Sequence, residues 1–145
     1  MTDEEKSAGK VDERTGLNIM DPAECIALLE ATPLGRVVFV DDAGQPLALP
    51  VNYRWHDDAV VFRTHEGQKL LAAVMNQRVA FEVDDWDGAT RTGASVLVKG
   101  TAARVDPWAD REQLELLGLA PWADEQWPPI WVRIEPVEVT GRRVS

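Results

Sequence analysis

Residues 36–64 read RVVFVDDAGQPLALPVNYRWHDDAVVFRT, and the fold turns on this stretch. Arg36-Val-Val-Phe-Val40 is β-branched and aromatic, the composition of a strand. Asp41-Asp-Ala-Gly44 has the chemistry of a turn. Leu47 to Trp55 reads as a second strand. Its internal Pro50 has no N–H to give a ladder, which places it at an edge or a bulge. His56-Asp-Asp58 is a second tight turn, and Ala59-Val-Val-Phe-Arg-Thr64 is a third strand. Three strands on short turns predict an antiparallel meander.

The same reading extends both ways along the chain. Upstream, Asp21 is a good N-cap and Pro22 suits the first helical position. Ile26, Leu28 and Leu29 give that helix an apolar face, and Pro33 closes it. Residues 1–18 carry Asp3, Glu4, Glu5, Asp12 and Glu13 against Lys6, Lys10 and Arg14, with almost nothing apolar. They read as a disordered acidic tail, because such a stretch buries too little to offset its ordering entropy. Downstream, Gly67 to Gln77 is rich in helix formers. Arg78-Val-Ala-Phe-Glu-Val83 alternates as a fourth strand, followed by an acidic loop over Asp84 to Gly88. Ser95 to Val105 is a long fifth strand in which Gly100 marks a bulge. Residues 107–119 form an acidic helix, and Ile130 to Val139 is the last strand. Six strands with three short helices predict a mainly β chain folded as a small antiparallel barrel, one domain over 19–145.

Composition narrows the function. The chain has 145 residues, 25 Asp and Glu against 15 Lys and Arg, and a formal net charge of -10. That charge argues against nucleic acid, where neutralising phosphates supplies most non-specific affinity, and against an anionic membrane surface. The longest apolar run, Leu70-Leu-Ala-Ala-Val-Met75, falls far short of the roughly 18 residues that cross a bilayer. The acidic start resembles no signal peptide, so the expectation is a soluble cytoplasmic protein. The single cysteine, Cys25, leaves no internal disulfide and no zinc site built on cysteine pairs, and the two histidines, His56 and His65, are too few for a metal cage. No serine or cysteine nucleophile motif occurs.

The informative junction is Phe62-Arg63-Thr64-His65-Glu66-Gly67-Gln68-Lys69-Leu70. A strand ends in a cation and a hydroxyl, a glycine turn follows, and a helix begins with a lysine in its first turn. A cation there opposes the helix dipole unless an anion answers it, and helix N-termini bind anions through free N–H groups. Arg63, Thr64 and Lys69 therefore suit one phosphate. The residues alone leave open a second account in which Lys69 is solvated. His65 fits either a ligand contact or an exposed turn. The tryptophans Trp108, Trp122, Trp127 and Trp131, crowded near the C-terminus, fit a core or a surface for planar ligands.

Taken in order, Pro33-Leu-Gly-Arg-Val37, Gly44-Gln-Pro46, Pro50-Val-Asn-Tyr53, Val61-Phe-Arg-Thr64, Gly67-Gln-Lys-Leu70, Arg78-Val-Ala-Phe-Glu-Val83, Ser95-Val-Leu-Val-Lys-Gly100 and Arg133-Ile-Glu-Pro136 resemble the pyridoxamine 5'-phosphate oxidase-like family of FMN-binding split barrels, in particular its nitroimidazole-resistance-type branch. The resemblance implies a six-stranded antiparallel split barrel and a homodimer with FMN in two grooves between subunits. It implies that Pro50, Val51, Asn52 and Tyr53 run along the flavin ring through their backbone. Arg63 and Thr64, with Lys69, then hold the phosphate, His65 and Leu70 belong to the same cofactor-binding set, and Ser95 comes from near the dimer seam and faces the ring. The chain departs from the true oxidases. Leu49 stands near the position of a phosphate-side arginine, Gln68-Lys69 replaces a serine-arginine-lysine, and Ala94-Ser95 replaces an arginine-glutamine pair. The resemblance therefore implies a flavin-dependent oxidoreductase acting on a small planar acceptor, with no named catalytic residue beyond His65 or Tyr53 as proton donors. A flavin carrier or sensor, and a haem- or deazaflavin-binding relative, are the alternatives.

Overall fold

The computed structural model describes residues 10–64, 77–105, 117–118 and 130–144. In chain order the elements are β1 (Asn18–Ile19), α1 (Pro22–Ala31), β2 (Leu34–Val40), β3 (Pro46–His56), β4 (Ala59–Thr64), β5 (Arg78–Asp87), β6 (Thr92–Arg104) and β7 (Ile130–Val144). The helices expected over 67–77 and 107–119 lie outside the described residues, apart from Gln77 and the turn at Leu117–Gly118.

Every strand pairing is antiparallel. The order β7-β4-β3-β2-β5-β6 returns to β7, so six strands close a barrel, and the two-residue β1 lies against the end of β7. Alternation along each strand sends one set of side chains inward. Val37, Tyr53, Phe62, Phe81, Val96, Val98 and Ile134 are fully buried there. The Tyr53 and Phe81 rings meet edge to face with centroids 4.6 Å apart. The barrel interior among the described residues is thus filled by side chains.

Local chemistry accounts for the element ends. Asp21 Oδ1 accepts from the Glu24 N–H at 2.8 Å and opens α1. Thr32 closes it, both its N–H and its hydroxyl donating to the Leu28 carbonyl. Cys25 and Leu29 face the barrel, and α1 sits close because β7 offers Gly141, where a Cβ would stand 2.7 Å from Cys25 Sγ. Burial pushes the Cys25 thiol up, so it stays protonated and inert. The turn between β3 and β4 holds Asp57 and Asp58 at φ of 50° and 56°, both left-handed, as a two-residue hairpin requires. Arg133 steadies it by donating to the Asp57 carbonyl at 2.8 Å. The register of β6 against β7 shifts between Lys99 and Gly100. A Cβ on Gly100 would run into the Glu135 backbone, which is why the bulge falls at a glycine.

Two expectations need correction. Residues 10–18 are not a loose tail. Val11 bridges Asn18, the Ile19 N–H donates to the Lys10 carbonyl, and Arg142 pairs with Asp12 at 3.1 Å, its guanidinium holding the Asp12 carboxyl below the usual range. Local turns and one ion pair to β7 order this stretch without a core of its own. The acidic run after Val83 is not a loop either. β5 continues through Asp87 because its partner β6 begins at Thr92 and pairs every residue up to that point. Ladder bonds outweigh the weak strand propensity of aspartate.

Candidate functional site: a split between two strands

The barrel is opened where β3 and β4 part. Their ladder runs from His56↔Ala59 to Tyr53↔Phe62 and stops. Among the described residues, β4 beyond that pair continues with β7 alone, through Arg63↔Trp131 and Thr64↔Ile130, and β3 continues in the other direction with β2 alone, from Asn52↔Leu34 to Pro46↔Val40. Two lips result. One is the edge of β3 over residues 46–52, and the other is the end of β4 at Arg63 and Thr64.

Backbone polarity at the β3 lip follows from one hydrogen bond. The Tyr53 N–H donates to the Pro33 carbonyl at 3.3 Å, directly across from it in register. In an antiparallel pair such hydrogen-bonded positions alternate with positions whose N–H and C=O point away. Leu49 and Val51 therefore spend their backbone groups on β2. Asn52, Pro50 and Ala48 turn theirs outward into the split. The missing N–H of Pro50 falls on this outer edge, where no ladder needs it. By the same alternation the Arg63 backbone on the opposite lip also points toward the split.

The side chains divide differently. Val51 and Tyr53 point into the core, while Pro50 and Asn52 are on the outer face. The Tyr53 hydroxyl is fully buried and donates to the Leu29 carbonyl at 2.6 Å. Burial pushes its ionisation well above the ordinary tyrosine value. Tyr53 as a proton donor is thus a correction: its proton is spent on holding α1 to β3. Pro33 has no N–H with which to answer the Tyr53 carbonyl, and Arg54 Nη1 does so instead at 2.9 Å. Arg63 is half-buried with its guanidinium carbon 5.8 Å from the centre of the Trp131 ring, within cation–π range. The Thr64 backbone completes the β4 lip. His65, Lys69 and Leu70 lie outside the described residues.

Ser95 is not at the split. It lies on the outer face of β6, paired with Asp84 and Arg142. That is three strands round the barrel from β3, roughly 14 Å along the sheet. The outer face of β2, β5 and β6 around it carries an ionic cluster, with Arg36 within 2.7 Å of both Glu82 and Asp84. Burial and the adjoining Asp84 carboxylate push Glu82 up, against the pull of Arg36. The same face holds a groove of about 730 Å³ floored by Val38, Ala80 and Thr101, with Val137 82% exposed at its rim. One aromatic the sequence reading passed over is here too: Trp86, 61% exposed on β5. Its signal in the sequence was an indole among Asp84, Asp85 and Asp87, opposite a glycine, which a core residue does not need.

Residues 21–143 match the sequence profile of the pyridoxamine 5'-phosphate oxidase family. An uncharacterised protein of Mycobacterium tuberculosis, Rv0080, is 38% identical over 132 residues, covering 86% of this chain and 84% of its own. The structure of an FAD binding protein from Mycobacterium smegmatis superposes with a TM-score of 0.75 at 38% identity, over 88% of this chain and 100% of that one. A Bacteroides thetaiotaomicron protein named for 5-nitroimidazole antibiotic resistance shares the fold, with a TM-score of 0.70 at 12% identity over 88% and 87% of the two chains. A closed antiparallel barrel with one split ladder, matched from the cap of α1 to the end of β7, makes this chain a member of the pyridoxamine 5'-phosphate oxidase family.

Proposed function

We propose that the split binds a flavin nucleotide and that the protein works as a homodimeric flavin-dependent oxidoreductase on a small planar acceptor. The observation that carries this reading is the outward row of backbone groups at Ala48, Pro50 and Asn52. A strand edge with no ladder partner among the described residues calls for one. The pyrimidine edge of a flavin, with carbonyl acceptors around one N–H donor, is chemically complementary to it. At the other lip, Arg63, Thr64 and the adjoining Lys69 supply cations and donors for the phosphate, in a chain whose overall charge would otherwise repel it.

A bound flavin supplies two-electron hydride chemistry between a reduced donor and the acceptor. The protein's own part is positioning and electrostatics. The Asn52 N–H faces the split, where it favours negative charge on the pyrimidine side and so raises the tendency of a bound ring to accept electrons. The core side chains Val51 and Tyr53 fix that strand, and no protein group is assigned as the proton donor. Ser95 reaches the split only from a second copy. The groove on the β2–β5–β6 face, lined in part by the exposed Val40 and Val137, gives such a copy surface to cover.

FMN is the form the family resemblance favours. FAD is a second reading, supported by the Mycobacterium smegmatis relative; both nucleotides present the same ring and first phosphate. The visible spectrum of the purified protein, followed by chromatography of the extracted cofactor, tests the proposal. Flavin bands at one nucleotide per chain are expected, with FMN and FAD told apart by retention. A colourless protein that takes up neither nucleotide, or a haem spectrum, overturns it.

A further inference from the structure

Trp86 is exposed on the outer face of β5 and packs beside a glycine. Its cross-strand partner is Gly93, and a Cβ there would stand 2.7 Å from Trp86 Cε3 and 2.5 Å from the Asp85 carbonyl oxygen. The ring thus occupies the space a side chain at Gly93 would need, with Nε1 3.9 Å from where a Cβ on Gly88 would stand. An indole 61% exposed and yet seated on its own hairpin is organised for contact with something beyond the chain. Its position says what. On β5, Trp86 follows Asp84 on the same outer face, and Asp84 pairs with Ser95. The two rows are one strand repeat apart, about 7 Å. Whatever surface meets Ser95 also meets the indole.

We infer that Trp86 of one copy forms an aromatic wall of the flavin site in the other copy. The inference rests on the reading above, in which Ser95 approaches the split from a second subunit. An indole close to a bound flavin quenches its fluorescence by electron transfer, whereas a phenyl ring does not. The test is therefore the fluorescence decay of the flavin-loaded protein. Trp86→Phe is expected to remove the shortest decay component and brighten the flavin severalfold at unchanged stoichiometry. Trp55→Phe, on β3 and packed against the core, is expected to leave the decay unchanged. Mixed dimers decide which copy supplies the ring. A flavin-competent Trp86→Phe copy is combined with a Lys69→Glu copy that retains its indole and takes up no flavin. The flavin is then expected to be quenched again. Unchanged decay in Trp86→Phe with flavin fully bound overturns the inference, and so does a mixed dimer that stays bright. Failure of the unsubstituted protein to bind flavin would instead overturn the cofactor assignment itself.

Discussion

β6 and β3 are both long strands, and they treat their backbones in opposite ways. β6 is laddered on both sides, to β5 from Thr92 to Thr101 and to β7 from Gly93 to Arg104, broken only by the bulge at Gly100. β3 is laddered on one side at a time, to β4 from Tyr53 to His56 and to β2 from Pro46 to Asn52. Over Pro46 to Asn52 its partner among the described residues is β2 alone. Strands satisfied on both sides build the wall of the barrel. The strand left open on one side exposes backbone donors and acceptors in a fixed row, with a proline where the row would otherwise carry one more N–H. The candidate site is thus a place where pairing stops, set in a scaffold where it does not.

The largest effect that could break this contrast is a proline on the wrong phase. Leu49→Pro removes an N–H that faces β2 and is expected to cost about 3 kcal/mol or more, or to prevent folding. Equilibrium denaturation would measure it, and a loss under about 1 kcal/mol would mean the alternation has been assigned backwards. Next comes the proposed phosphate seat. Lys69→Ala is expected to weaken flavin binding by roughly 1.5–3 kcal/mol, through loss of a charge-assisted contact, with little change in the melting of the flavin-free protein. Titration with FMN reads the first and calorimetry the second.

Tyr53→Phe leaves the Leu29 carbonyl without its donor and is expected to cost about 1–2 kcal/mol. It carries a pH signature. The Tyr53 ionisation is raised in the folded state, so the unfolded chain loses the proton first and stability falls as pH climbs past the ordinary tyrosine value of 10.0. The buried Cys25 acts in the same direction from about the ordinary thiol value of 9.0. Tyr53 is the single tyrosine, so Tyr53→Phe should flatten the steeper part of that alkaline limb while leaving the Cys25 part. Stability that falls equally in both proteins above pH 10 would count against it. The smallest effect is Pro50→Ala. It should cost no more than about 1 kcal/mol, the unfolded-chain entropy that proline had removed, because no ladder bond is at stake.

Much of the barrel was legible in the sequence, for identifiable reasons. Inward valines and aromatics alternate in β2 and the first half of β5, and β4 is a continuous β-branched and aromatic run buried on both faces. The Asp21–Pro22 start of α1 is a local capping signal, and Gly100 is the residue a bulge requires. The rest depends on partners far away in sequence. Asp84 to Asp87 become strand only because β6 faces them. Residues 10–18 are ordered by Arg142, at the other end of the chain. The placing of Pro50 at an edge was readable, but which edge, and that Asn52 shares its outward phase, required the Tyr53–Pro33 hydrogen bond. Ser95 could be assigned to a site by family resemblance, yet its distance from the β3 lip appears only in the closed barrel, and Trp86 gained meaning only through Gly93 across from it.

Amide hydrogen exchange at single residues along β3, with and without bound flavin, tests the central claim most directly. The Asn52 N–H should exchange fast in the flavin-free protein and slow by at least about tenfold when flavin is added, while Val51 and Leu49, already bonded to β2, stay protected throughout. An Asn52 amide that is protected before flavin arrives, or that is indifferent to it, would contradict the assignment of this strand edge as the seat of the ring.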